Sequence, residues 1–367
     1  MRDATARSEC EALARASPHG LTFRGLETHT YCKRLHRVAR FSRDEGGKPV
    51  HFVLLPGGEV SLGYDGRSFR PTPHQIESFA ESAEAPEFHA PIDAVLTAFD
   101  LPPSVAEDLL EEYDLGRNYL RTDSIEEFVD AHTSAPRTTS IAPILIETEG
   151  QEIQKREDME PIDEDDPVFD RFRLRDPEGW KIAEIHCGDC RYIVERNDVG
   201  PIRVWRQPPI TYDRVRARLA PTGMRLPTCD EWEFACGGGA PTLFRWGDHC
   251  PADYYPTDTC AEDRDLKIAW ALSRGELAYE APPADWDLHQ QRNLFGLRIA
   301  DNPYHPDLVS EGPLALGGDG GENICGGVGF FLGWFPLATA FRIPGMGFRQ
   351  DEDISSHFRV RRVIPID

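Results

Sequence analysis

Gly223-Met224-Arg225-Leu226-Pro227-Thr228-Cys229-Asp230-Glu231-Trp232-Glu233-Phe234-Ala235-Cys236, followed by three glycines, decides how this chain is read. Thr228 and Glu231 have the spacing of a capping box, in which the Thr hydroxyl takes the N3 amide and the Glu reaches back to the N-cap amide. Proline disfavours helix in the residue before it, so the chain enters extended or turning. Gly237 to Gly239 stop the helix after about two turns. The stretch therefore predicts a short capped helix carrying Trp232 and Phe234, with Arg225, Thr228, Glu231 and Trp232 as structural residues.

Outward from this helix the chain is rich in turns. Its 367 residues include 31 glycines, 30 prolines, 19 phenylalanines, 10 tyrosines and 7 tryptophans, which points away from a helical bundle. The 63 acidic and 40 basic residues give a net charge of −23, so nucleic acid and anionic membranes are poor partners for the surface. No apolar run approaches the roughly 18 residues that span a bilayer. Met1-Arg2-Asp3-Ala4-Thr5-Ala6-Arg7 has no apolar core of a secretory signal, and a cytoplasmic location is the expectation. Nine scattered cysteines do not make a disulfide framework and are expected as buried free thiols.

In chain order, residues 3–16 read as an amphipathic helix. Strand-like runs follow at Leu21–Phe23, Arg37–Phe41 and Val50–Leu55. Pro56-Gly57-Gly58 and the run Glu59–Gly63 then predict a β-hairpin. Residues 74–132 read as a small acidic helical insertion, with helices over Ile92–Phe99, Val105–Tyr113 and Ser124–Val129. Arg137–Glu147 predicts one strand, and the acidic, proline-broken run Glu157–Asp166 a mobile loop. Strands are expected at Gly179–Ile185, Cys190–Glu195 and Ile202–Trp205, and a proline-led helix ending at Leu219. His186-Cys187-Gly188-Asp189-Cys190 is a single C-x-x-C. Zinc wants a matching second pair and a redox pair wants a helix N-terminus, so the strand-like flanks favour a β-turn with two ordinary thiols. No Gly-rich phosphate loop of the common kinds is present.

Several motifs, in order, resemble the formylglycine-generating enzyme, or sulfatase-modifying factor, family. The central stretch is similar to that family's R-L-P-T helix, and Phe52 to Gly63 to its opening strand, P-G-G turn and strand. Phe244-Arg245-Trp246-Gly247 stands for F-x-W-G, Asn293-Leu294-Phe295-Gly296-Leu297 for N-x-x-G-L, and His357-Phe358-Arg359-Val360 for the closing G-F-R strand. The resemblance covers about residues 50–366. It implies an α+β, C-type-lectin-like fold with short twisted sheets and much irregular structure. The main domain is then residues 50–367, with residues 1–49 packed on it.

Relatives that make formylglycine hold copper(I) between two cysteines near the C-terminus, chemistry that suits soft thiolates. Here Gly320-Gly321-Glu322-Asn323-Ile324-Cys325 supplies the first cysteine, and Phe330 stands where the second belongs. One thiolate does not make the two-sulfur site. Family members also continue N-x-x-G-L with a tryptophan-rich segment that is absent here, although Asp301, Asn302 and Asp307 offer hard oxygens of the kind calcium takes. Relatives that use iron carry a histidine-rich helical domain with H-x-x-x-H-x-E, which the insertion lacks. The expectation is a diverged relative whose cleft around Cys325, Glu322, Asn323, Trp334 and Trp246 binds a protein, peptide or small ligand. The alternative is a metal- and oxygen-dependent oxidase acting on a substrate cysteine, with Cys325 and Glu322 at its centre. Fold alone does not choose between them.

Overall fold

The amphipathic N-terminal segment, the β-branched and aromatic runs after it, and the capped central helix all form in a computed structural model of the chain. The model describes residues 2–84, 124–153, 159–162, 182–187, 190–195, 203–207, 209–259, 286–325, 329–342, 347–354 and 358–366. The helices expected over Ile92–Phe99 and Val105–Tyr113 lie outside these residues. The elements run α1 (Arg2–Ala16), β1 (Thr22–Tyr31), β2 (Arg34–Glu45), β3 (Lys48–Leu55), β4 (Gly58–Leu62), α2 (Pro73–Glu84), α3 (Ile125–Ala131), β5 (Arg137–Ile141), β6 (Ile144–Glu147) and β7 (Gln151–Glu152). They continue with β8 (Glu160–Ile162), β9 (Ile182–Cys187), β10 (Cys190–Glu195), β11 (Arg203–Gln207), α4 (Tyr212–Leu219), α5 (Cys229–Gly237), β12 (Asp307–Leu308), β13 (Ala315–Leu316), α6 (Glu322–Cys325), α7 (Phe330–Trp334), β14 (Arg359–Val360) and β15 (Val363–Pro365).

A five-stranded antiparallel sheet, ordered β1-β2-β3-β6-β15, forms the middle layer. Strand alternation sends Phe41, Phe52 and Leu145 to one face, where Cys10 and Ala14 of α1 cover them. Val53, Leu55, Ile144 and Ile146 point the other way, into the main core with Trp232, Phe128, Phe331 and Trp334. The N-terminal strands are thus part of this sheet. Two four-stranded sheets, β8-β11-β10-β9 and β13-β12-β14-β7, and the pair β4-β5 complete an α+β architecture.

Three expectations are corrected. Pro56-Gly57-Gly58 does not close a hairpin. Leu55 pairs with Ile144, whereas Gly58 pairs with Ile141, so β3/β6 and β4/β5 are two ladders separated by a break. The chains cross together at Pro56-Gly57 and Ala142-Pro143, and the two prolines lack the amides a continuous ladder needs. A Cβ on Gly57 would lie 2.6 Å from the Pro143 ring, which requires glycine at the crossing. For the same reason Arg137–Glu147 is two strands in two sheets. Within Glu157–Asp166, Glu160–Ile162 is a strand whose partner is β11, a ladder decided by distant residues and not by local charge.

The acidic insertion is narrower than its composition implied, because both ends belong to the core. Phe79 of α2 meets Phe128 of α3 at 5.2 Å between ring centroids, and Ile125, Phe128 and Val129 are buried. Cys187 and Cys190 are register partners across β9 and β10. A strand, not a helix, leads out of the C-x-x-C. Among the described residues Cys10, Cys32, Cys229, Cys236 and Cys250 are free thiols, and Cys32 is exposed.

The capping box at α5 is complete. Glu231 N donates to Thr228 Oγ1 at 3.1 Å, and Thr228 N donates to Glu231 Oε2 at 2.8 Å. Arg225 grips the same carboxylate through both terminal nitrogens, at 2.6 and 2.7 Å. Gly238 ends the helix at φ 58°. Thr228→Ala should cost about 1 kcal/mol of unfolding free energy in urea titrations. No loss would mean that the Arg225–Glu231 pair alone fixes the helix start.

Candidate functional site

Helix α5 carries the frame from which the expected site hangs. Trp232 is fully buried, and its Nε1 donates to Asp307 Oδ2 at 3.0 Å. At the other end, Asn293 Nδ2 donates to the carbonyls of Ala235 and Cys236 at 2.6 and 3.0 Å. Its Oδ1 accepts from Phe295 N and Leu297 N at 3.1 and 3.0 Å. The N-x-x-G-L run is therefore a bracket that ties a loop to the last carbonyls of α5.

That loop leads into Asp301, Asn302 and Asp307, whose side chains are each engaged, although Asp307 Oδ1 is buried without a hydrogen-bond partner. Asp301 accepts from Arg298 Nε and Arg359 Nη1, each at 2.9 Å. Burial works against its charge, yet Arg359 and Arg298 hold its carboxyl below the usual carboxylate range. Asn302 Oδ1 accepts from Tyr304 N at 3.0 Å. Asp307 Oδ2 also accepts from Arg361 Nε at 2.9 Å, in an ion pair that is almost wholly buried. Among the described residues no group of three or more His, Cys, Asp or Glu side chains is placed to hold a metal. The two aspartates are paired with Arg298, Arg359 and Arg361 and Asn302 Oδ1 with Tyr304 N, and the one unpartnered oxygen, Asp307 Oδ1, falls short of the about six to eight oxygens that calcium takes.

Asp319 governs the start of α6. It is buried between glycine-rich turns, with Oδ1 accepting from Gly321 N at 2.9 Å and Oδ2 from Asn323 N at 3.0 Å. Burial pushes its pKa up to about 6. Of the residues expected at the site, Glu322 is exposed, Asn323 is buried and Cys325 closes α6. Phe330, which begins α7, packs its ring on Tyr255 at 4.9 Å.

The two tryptophans do come together, but in the interior. Trp334 is fully buried and donates from Nε1 to Tyr254 O at 2.6 Å. Trp246 stacks on Phe244 at 4.8 Å and meets Trp334 edge-on at 6.1 Å. Trp334 is core packing, whereas Trp246 is half-buried and donates from Nε1 to His249 O at 2.9 Å. His289 joins them, 4.9 Å from the Trp334 ring, and burial with Arg245 nearby drives its pKa down to about 3. Sequence reasoning gave no role to His289, nor to Arg245, which is buried over the Tyr31 and Trp246 rings and donates to the carbonyls of Ala300 and His289. A lone Arg between aromatics, in Phe244-Arg245-Trp246, was the available signal.

Neither protein-family models nor curated proteins match this chain. Fold and site together define an α+β protein with a stapled central helix. No helix among the described residues is long and apolar enough to cross a membrane.

Proposed function

We propose that the chain is a diverged relative of the formylglycine-generating enzymes, with their C-type-lectin-like fold, and that it serves as a binding module for a protein or peptide. The observation that carries this reading is Phe330. Where the resemblance would put the second cysteine this chain has Phe330, whose ring packs on Tyr255, and one cysteine does not make the two-sulfur copper(I) site. Of the described residues expected at the site, Glu322 is exposed and Trp246 is half-buried.

The test combines purified protein, copper(I), oxygen and a Cys-x-Pro-x-Arg peptide, and follows aldehyde formation by mass. No aldehyde is expected. Turnover that disappears in Cys325→Ala would overturn the binding-module reading and restore the oxidase. Phe330→Cys should raise copper(I) affinity by about tenfold or more, since it returns the second soft ligand. An unchanged affinity would count against the resemblance at this loop.

A further inference from the structure

The tip of the β1–β2 hairpin carries a separate inference. It docks on the loop that the Asn293 bracket ties to α5. Tyr31 Oη donates to Leu288 O at 2.9 Å, and Arg34 Nη2 donates to Gly238 O, at the C-cap of α5, at 2.6 Å. Alongside these two bonds sit two imidazoles. His29 and His36 are register partners across the strands, so their side chains leave the same face of the sheet. The His36 ring meets Phe295 edge-on at 5.2 Å. A Cβ on Gly296 would run into the His29 ring, so the glycine of the N-x-x-G-L run makes the room for that imidazole.

The surrounding charges leave no carboxylate free for a second cation. Glu27 is 2.8 Å from Arg40 and 3.7 Å from His29. Glu149 is paired with Arg292, whose Nη1 also donates to Gly296 O at 2.9 Å. Arg34 stands beside His36, and His51 of β3 neighbours the same Arg40 and Arg292. Burial lowers the pKa of His29; Glu27 opposes the shift, and Arg292, Arg40 and His36 add to it. Burial and then Arg34 lower that of His36. Docking therefore has its full strength above the ordinary histidine value of 6.5. It weakens as pH falls below that value, because the undocked tip takes up protons that the docked tip resists.

We infer that His29 and His36 form an acid-sensitive latch, which holds the hairpin tip on residues 292–296 while both rings are neutral and releases it when they charge side by side. Release carries Tyr31 off Arg245 and opens the Arg245–Trp246 stack to solvent. The inference does not depend on the function proposed above. Amide hydrogen exchange on the full chain at pH 7 and pH 5, corrected for the intrinsic pH dependence of exchange, tests it. On acidification, protection over residues 28–37 should fall about tenfold further than protection over β3 and β6. In the double variant His29→Gln, His36→Gln the hairpin should fall no further than those strands. Circular dichroism checks that the double variant folds. Imidazole proton NMR on the wild type needs no variant, and both rings should titrate below 6.5. An unchanged hairpin, a loss shared equally by the whole sheet, the same loss in the double variant, or titration of either ring at or above 6.5 would each overturn the inference.

Discussion

Glu233→Ala is expected to lose about 3–5 kcal/mol of unfolding free energy, the range for removing one partner of a buried ion network. Glu233 is almost wholly buried at the centre of α5. Its carboxylate accepts from Arg137 Nη2 at 2.9 Å, Arg342 Nη2 at 2.8 Å and Ser134 Oγ at 3.2 Å, and also from Gly63 N. One side chain thus joins α5 to β5, to the end of β4 and to the segment after α7. Arg137 keeps Asp230 at 2.6 Å when Glu233 is removed, so the larger penalty falls on Arg342. Glu233→Gln, which keeps the shape and one acceptor, should lose less than the alanine variant. Urea unfolding measures both, and an alanine loss below about 1 kcal/mol would place this network among ordinary surface pairs.

The second large effect is in the response to acid, where two buried groups pull in opposite directions. His289 has a folded pKa of about 3 against an ordinary 6.5, because burial and then Arg245 disfavour its charged form. Its contribution is present above pH 6.5 and is lost as pH falls towards 3, when the unfolded chain takes up the proton. Linkage gives a loss of about 3 kcal/mol between pH 7 and pH 4. Asp319 is raised from 3.8 to about 6 by burial, so its contribution is full below 3.8 and is lost as pH rises through 6. Over the same interval it returns about 2 kcal/mol on acidification. Relative to the wild-type profile, His289→Gln should therefore lose about 3 kcal/mol less on going to pH 4, and Asp319→Asn about 2 kcal/mol more. Urea titrations at the two pH values decide it. Superimposable profiles for wild type and His289→Gln would show that the imidazole charges freely in the fold.

What was legible in the sequence was local. The capping box of Thr228 and Glu231 needs only residues three apart, and it formed as read. The amphipathic α1 and the strand runs of the main sheet were legible through their periodicity. What failed depended on partners far along the chain. Pro56-Gly57-Gly58 has the composition of a hairpin turn, but β6, some ninety residues later, claims the edge of β3. Asp301, Asn302 and Asp307 have the composition of a hard-cation site. Nothing in their neighbourhood announces that Arg359 and Arg361 arrive to pair with the two aspartates. Trp334 read as a ligand-facing aromatic, yet a tryptophan beside Phe331 and Phe335 is as well suited to the core it enters.

The seating of β15 also has a consequence during synthesis. It is the last described element, yet it completes a sheet that begins with β1. A growing chain can zip β1, β2 and β3 early, through short turns, and add β6 when it emerges. Until residues 363–365 follow, β6 presents a bare row of amides and carbonyls to whatever strand is nearest. Translation therefore carries an exposed pairing template through the roughly two hundred residues that separate β6 from β15, a state in which neighbouring nascent chains on one message compete with the proper partner.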